Sequence, residues 1–479
     1  MLDKLIAFSF AVGVIAIPFD AIPGVTAFGE LSNESSFYSF ALAMGLWGLY
    51  TASAIMAGGG DAAPGRSEVW RAGAILVGAI IVSTVWNAAD IGSATFHSRS
   101  GSVKLITSAM VIIYGLVLAL LTCVAVPRRW YACLILPISI SAIVCLGFSS
   151  LEAIDRAGVG VPFFDVLDAA IHTGKDSDIE AWSGAVNLKV VEGWDPRLRS
   201  VSFEPPAFGN FTGLAWPWLL SAVLMTRSSR KIFHAVLLAL FTILIFASQA
   251  RTGWLLLATN IATFGLLRFV FLPPNGQVHR TGTLILGSIL VLAVGSGVIF
   301  YALSYETLVS SVVSGTSVSD LSRLAYQVTA LQIFTTSPVV GVGLGQFAFN
   351  AAPNMPAWGF LSPEVGPSLL YPEAPWPNTY SLYTRLAAEL GLVGLAGWVV
   401  LWATLIISVY RAALVYASLG RPVPAIAYAI IMTSICILAT GLTTDTFRTP
   451  MFWITLGAGA CFSARARQWT KARSRAKPV

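Results

Sequence analysis

Charge is scarce in this sequence. Asp, Glu, Lys and Arg together make up 11% of its 479 residues, less than half the roughly 25% usual in soluble domains. Hydrophobic residues account for 56%, and the mean hydropathy is +0.76. That balance excludes a soluble globular chain and leaves a polytopic membrane protein. Histidine is scarcer still: His97, His172, His234 and His279 are scattered, with no pair at i, i+4 and no cysteine beside them, which argues against a zinc site. The five cysteines (Cys123, Cys133, Cys145, Cys436, Cys461) all fall in apolar runs and read as small buried hydrophobes, not as a disulfide framework. No small-residue cleavage site follows the first apolar segment, "LIAFSFAVGVIAIP", so it is expected to be a retained span. Internal repeats are absent, as are runs of Ser, Gln or Gly. "GVGLGQF" at 341–347 lacks the lysine and the strand-turn-helix setting of a phosphate loop and reads as a tight turn at a helix end.

Long apolar runs are what the sequence does have. Segments of about 17–25 residues suffice to cross a bilayer, and twelve are expected: 5–27, 38–57, 71–92, 105–126, 131–149, 211–226, 232–249, 252–272, 282–303, 391–410, 424–441 and 448–463. Arginines and lysines between them (Arg66 and Arg71, Arg128 and Arg129, Arg227 with Arg230 and Lys231, Arg268 with Arg280, Arg411 with Arg421) occupy alternate loops, on the side of the tail "RARQWTKARSRAK". Short cytoplasmic loops retain such residues, so both termini are expected to be cytoplasmic.

Two long loops lie on the opposite side. Residues 151–210 carry ten acidic and five basic residues, and 304–378 carry four and one. The pI near 9.1 is therefore a topology signature that calls for no nucleic acid, and the basic tail reads as an anchor near anionic lipid. Loops this long are usually functional, which places the site on the outer face. The expected organisation is helices one to five over 1–150, a first outer loop over 151–210, helices six to nine over 211–303, a second outer loop carrying the site over 304–390, and helices ten to twelve with the tail over 391–479. Amphipathic helices are expected inside these loops; in "SRLAYQVTALQIF" Leu324, Val328, Leu331 and Phe334 share a helical face.

Four outer elements occur in order: "DPRLRSVSFEPPAFGNFTGLAWPW" (195–218), "SQARTGW" around Arg251, "DLSRLAYQVTALQIFTTSPVVGVGLGQF" (320–347) and "WPNTYSLYTRLAAELGLVG" (376–394). Together they resemble the O-antigen ligase/polymerase superfamily of integral membrane glycosyltransferases, over residues 195 to 460 by motif and over the first five spans by topology alone. The resemblance implies an all-α, GT-C-like membrane fold of about twelve helices in a bacterial inner membrane, with its active site facing the periplasm. It also implies a metal-independent, cofactor-free transfer from a polyprenyl-diphosphate-linked oligosaccharide, and partners such as a chain-length regulator and export proteins. One departure matters: where the family often has a His-Asn pair, this chain has Pro377-Asn378, and 304–378 contains no histidine. That favours a polymerase of O-antigen, capsule or exopolysaccharide over a ligase acting on lipid A-core, and "FEPPAFGN" points the same way.

The chemistry assigns roles. Negative charge develops on the leaving diphosphate, and arginines suit it by bidentate, charge-assisted bonds. Arg251 and Arg323 are the first candidates, then Arg197 or Arg199. The acceptor hydroxyl must lose a proton to a carboxylate whose pKa is raised by burial; Glu204 is the first candidate and Glu373 the second, with Asn378 and Tyr380 as further substrate contacts. Against these stand ordinary readings: Arg251 snorkelling to headgroups, Glu204 capping a helix, and Trp194, Trp216, Trp218 and Trp376 as interfacial anchors more readily than as sugar platforms. A lipid-linked sugar transporter would show repeat symmetry and midplane charges. A non-catalytic assembly partner would tolerate loss of the loop arginines.

Overall fold

A computed structural model describes residues 2–22, 24–25, 31–32, 34–56, 67–126, 129–172, 197–227, 229–271, 318–362, 364–372, 374–418 and 424–475. These residues are mostly helical. The longer helices are α1 (Leu2–Ile15), α2 (Ser35–Met56), α3 (Glu68–Trp86), α5 (Gly101–Ala125), α6 (Leu136–Ile154), α8 (Pro205–Met225), α9 (Ser229–Ala247) and α10 (Arg251–Leu266). In the second half follow α11 (Val318–Thr336), α14 (Leu382–Ser418), α15 (Ala425–Thr440) and α16 (Pro450–Arg475). Short helices α4 (Ala88–Ser93), α7 (164–172), α12 (Phe347–Ala351) and α13 (Val365–Leu370) lie in the connections.

Five helices among the described residues are long and apolar enough to cross a bilayer: Glu68–Trp86, Gly101–Ala125, Tyr131–Val159, Ser229–Ala247 and Leu382–Ser418. The expected span 282–303 lies outside the described residues. Several boundaries differ from the sequence reading for local reasons. The first helix stops at Ile15 and not near residue 27, because Pro18 has no N–H to continue the ladder. The fifth runs past the expected 149 to Val159 and stops where Gly158 and Gly160 take positive φ, a conformation glycine adopts without strain. The tenth begins at Leu382, ahead of the expected 391, and is interrupted at Gly391 (φ 63°, ψ −161°). A two-residue antiparallel ladder, β1 (Thr95–Phe96) with β2 (Arg99–Ser100), is an addition to the expected all-helical fold.

Helix α8 runs through the centre, buried almost continuously from Phe208 to Ala222. Trp216 and Trp218 are buried within it, so they pack the core and do not serve as the interfacial anchors expected of them. Pro217 removes an N–H from the middle of this helix, which would orphan the Gly213 carbonyl; Asn260 of α10 donates to that oxygen at 2.7 Å, the repair a bilayer interior demands. Helices α8 and α10 approach closely because Gly209 and Gly213 present no side chains. A Cβ on Gly209 would sit 2.9 Å from the Gly253 nitrogen, and one on Gly213 would sit 2.4 Å from Leu256 Cβ. Small residues four apart are the usual device for such a crossing in membranes. It sets the N-termini of α8 and α10, and with them Glu204 and Arg251, at the same end of the molecule.

Candidate functional site

Helix α11 is the platform. Leu321, Ser322, Ala325, Tyr326, Thr329, Ala330 and Ile333 form its buried face. The stripe picked out by periodicity lies on the other side: Leu324 and Leu331 are exposed, while Val328 and Phe334 are half-buried. Small and polar residues thus pack where larger apolar ones were available, because the facing wall is polar. Ser322 donates to Glu364 Oε2 at 2.5 Å, and Tyr326 is hydrogen-bonded to Ser368.

Arg323 lies on this platform, half-buried, with its guanidinium carbon 5.5 Å from the centre of the Tyr380 ring. Its Nε is buried and has no hydrogen-bond partner among the described residues. Tyr380 itself stands at a positive φ of 56°, held by Asp445, whose Oδ2 accepts from the backbone N–H groups of Thr379 (2.8 Å) and Tyr380 (3.3 Å). Burial pushes the Tyr380 phenol well above its usual range, nearby Glu364 adds to that, and Arg323 opposes it. Asn378 beside it is exposed, and Glu373 lies outside the described residues.

Arg251 joins the same face through an acid. It is the first residue of α10, reached by a tight turn with Gln249 at φ 49°, and its Nη1 lies 3.4 Å from both carboxylate oxygens of Asp320. Asp320 precedes Arg323 by one turn of α11, and residues three apart share a helix face. The structure therefore brings Arg251, Arg323 and Tyr380 together, with Arg251 61% exposed at the outer edge. The positive ends of the α8 and α10 dipoles add to an anion-favouring field at this end.

A second half of the site was missed by sequence reasoning. The loop after α15 carries Asp445 and, three residues on, Arg448, whose Nε lies 3.3 Å from Glu34 Oε1; three residues span at most about 10 Å, so the halves adjoin. Asp20 lies with them, accepting the Phe203 N–H at 2.6 Å, while Ser202 donates to the Pro18 carbonyl at 2.9 Å. The turn between α1 and α2 is in this way fastened to the entrance of α8. Burial raises the Asp20 carboxyl to about 6, against the pull of the Phe203 N–H and of Arg448. It raises Glu34 to about 7, with Arg448 opposing and Asp20 assisting. Glu204 is exposed at the N-cap of α8 and makes no side-chain cap bond, so the partly dry setting expected for it belongs to Asp20 and Glu34. A signal was present: Asp20 fell inside an expected span, where an acid is a functional hypothesis by default, and Arg448 was absorbed into the start of another.

Arg199 stands apart. Its guanidinium pairs with Asp168 at 2.7 Å, its backbone N–H and that of Ser200 donate to the Glu152 carboxylate at 3.3 and 3.0 Å, and Asp168 also meets His172 Nδ1 at 2.9 Å. Burial alone would raise the Asp168 carboxyl, but the His172 hydrogen bond and the Arg199 charge hold it below its usual range. These contacts tie α6 and α7 to the segment before α8. Arg197, two residues earlier, is half-buried.

The glycine-rich turn completes the frame. Val342 and Gly343 N–H groups donate to the Ala388 and Glu389 carbonyls at 3.0 and 2.8 Å, and Leu392 N–H returns to Pro338 O at 2.8 Å. Thus "SPVVGVGLGQF" and "LAAELGLVG", which stand apart in sequence, are one interlocked backbone unit beneath Tyr380. Arg385 lies over it, 3.2 Å from the buried Glu389 and 2.7 Å from the Asp445 carbonyl.

Residues 235–399 match the family model described as O-antigen ligase. The matched segment contains Arg251, Asp320, Arg323, Glu364, Tyr380 and the glycine turn, whereas Asp20, Glu34, Glu204, Asp445 and Arg448 lie outside it. No curated protein matches the chain. Over this segment, which holds the arginine-bearing α11 and the interlocked glycine turn, the chain is similar to the O-antigen ligase family.

Proposed function

We propose that this protein is an inverting, metal-independent glycosyltransferase that polymerises polyprenyl-diphosphate-linked oligosaccharide repeats at the periplasmic face of a bacterial inner membrane. One observation carries the reading: Arg323 keeps a buried Nε without a hydrogen-bond partner among the described residues, one helical turn from the acid that holds Arg251. A buried polar atom left unsatisfied is costly, and an oxyanion would satisfy it.

In the reaction the acceptor hydroxyl oxygen bonds to the anomeric carbon while the bond from that carbon to the diphosphate oxygen breaks. The electron pair departs on the diphosphate, whose growing charge Arg323 and Arg251 stabilise in the role a divalent cation plays elsewhere. Attack opposite the leaving group inverts the anomeric centre. The hydroxyl proton passes to a carboxylate at this mouth, either Glu204 or Asp20. Arg197, Asn378 and Tyr380 line the approach, and the polyprenyl tail stays in the bilayer.

The test is to incubate detergent-purified protein with a lipid-linked repeat in EDTA and resolve the products on a gel. A ladder of longer lipid-linked chains is expected, markedly weakened with Arg251→Ala. No ladder from substrate that demonstrably binds sinks the polymerase reading, and transfer restored by lipid A-core would install the ligase. The ligase stays in play because a histidine from another part of the chain, His97, lies beside α13, its Nε2 2.9 Å from the Ser368 carbonyl oxygen.

With Asp20 raised to about 6 and acting as base, its protonated form is inactive, so turnover should climb as pH rises through about 6 to 7 and then level. Asp20→Asn should remove that limb, and Glu204→Gln should leave it in place. An unchanged limb in Asp20→Asn would clear Asp20 of the role.

A further inference from the structure

The β1–β2 turn and the chain leading to Tyr380 build a second constellation. His97 and Ser98 turn the ladder at positive φ, 45° and 60°, an uncommon conformation for non-glycine residues that needs outside support. The His97 contact to Ser368 anchors it to α13. So fixed, the ladder sets the exposed Arg99 with its guanidinium carbon 5.3 Å from the centre of the Trp376 ring. Lys104, from the first turn of α5, brings its ammonium to 5.1 Å from the same ring and is only 8% exposed. Phe96 and Phe349 meet Trp376 edge-on at 5.3 and 5.6 Å.

Two cations from separate elements thus converge on one half-buried indole. Cations within about 6 Å of an aromatic centroid are attracted by the ring quadrupole, so the indole holds both in place. Among the described residues Arg99 makes no ion pair, which leaves its planar fork able to take a carboxylate in bidentate fashion. The aromatic edges around it offer a surface for the apolar face of a sugar ring. Trp376 precedes Tyr380 by four residues, at most about 14 Å of chain, so one glycan can touch both this cluster and the arginine site.

We propose that Arg99, Lys104 and Trp376 form a glycan subsite selective for a carboxylate-bearing sugar, a uronic acid in chemical class. It rests on the glycan-transfer reading for the ligand that reaches it. The subsite recognises the repeat, while the diphosphate belongs to Arg251 and Arg323.

The test uses the full chain in detergent and two soluble probes, a glucuronate-containing oligosaccharide and its carboxyl-reduced counterpart, with binding measured by calorimetry at low and high salt. The acidic probe is expected to bind about tenfold more tightly or better, as a charge-assisted hydrogen bond implies. The preference should shrink with salt and disappear in Arg99→Ala, an exposed position where the fold, checked by size exclusion and circular dichroism, is retained. Trp376→Phe should keep part of it. Equal affinity for the two probes, binding of neither, or an undiminished preference in Arg99→Ala would each overturn the subsite. A preference without any transfer ladder would defeat the transferase reading and leave the subsite standing; a ladder without preference would do the reverse.

Discussion

Arg323→Ala is expected to lower the transfer rate at least about a hundredfold, the usual loss when one donor to a developing oxyanion is removed, while leaving the thermal midpoint almost unchanged. The two halves follow from one geometry. Arg323 has no partner for its Nε among the described residues and touches the fold mainly through the Tyr380 ring, a contact contributing about 0.5–2 kcal/mol, so alanine takes little from stability. What it takes is the donor nearest the buried wall of the site, where a charge-assisted bond counts for most. Arg323→Lys should recover little, because a point charge cannot reproduce the planar fork. Arg251→Ala should cost less than Arg323→Ala where residual ladder is quantified, since Arg251 is 61% exposed and shares its charge with Asp320, and exposed pairs are screened. Single-turnover transfer with a saturating lipid-linked repeat measures all three. A near-normal rate in Arg323→Ala would remove the arginine from the chemistry and leave it a helix-surface residue.

Gly391→Ala is expected to abolish the folded protein. The residue sits at φ 63° in the break of α14, and a Cβ there would lie 2.3 Å from the Val339 carbonyl oxygen and 2.6 Å from the Val340 nitrogen. Both are backbone atoms of the glycine turn, which cannot yield without breaking the bonds from Val342, Gly343 and Leu392 that join the two segments. The strain of the conformation and the loss of the interlock together cost more than about 4 kcal/mol, a large part of a typical folding free energy. Gly366→Ala is the matched control, since nothing lies within 4 Å of a Cβ there. Fluorescence-detected size exclusion after heating should show Gly366→Ala overlaying the parent and Gly391→Ala without a monodisperse peak. A monodisperse Gly391→Ala with a parental midpoint would show that the interlock is dispensable.

Sequence and structure divide this protein along a physical line. Hydropathy is a sum over neighbouring residues, so the membrane class and most helices are legible in the chain. So are the turn at "GVGLGQF" and the place of Arg251 at the start of a helix. Which side of a helix is packed depends on what faces it, and there the reading of α11 ran to the exposed stripe. Burial of Asp20 and Glu34 arises only when Arg448 and the entrance of α8 close over the first turn. Arg199 looked like a phosphate ligand until Asp168 was found beside it, and Trp376 like an interfacial anchor until Arg99 and Lys104 met its ring. By itself the sequence determined the membrane class, most of the helices and the resemblance that singled out Arg251 and Arg323, because those depend on local composition and on motifs in order. Only the tertiary structure decided which carboxylates are buried and which charges are already neutralised, because both depend on contacts between residues tens to hundreds of positions apart.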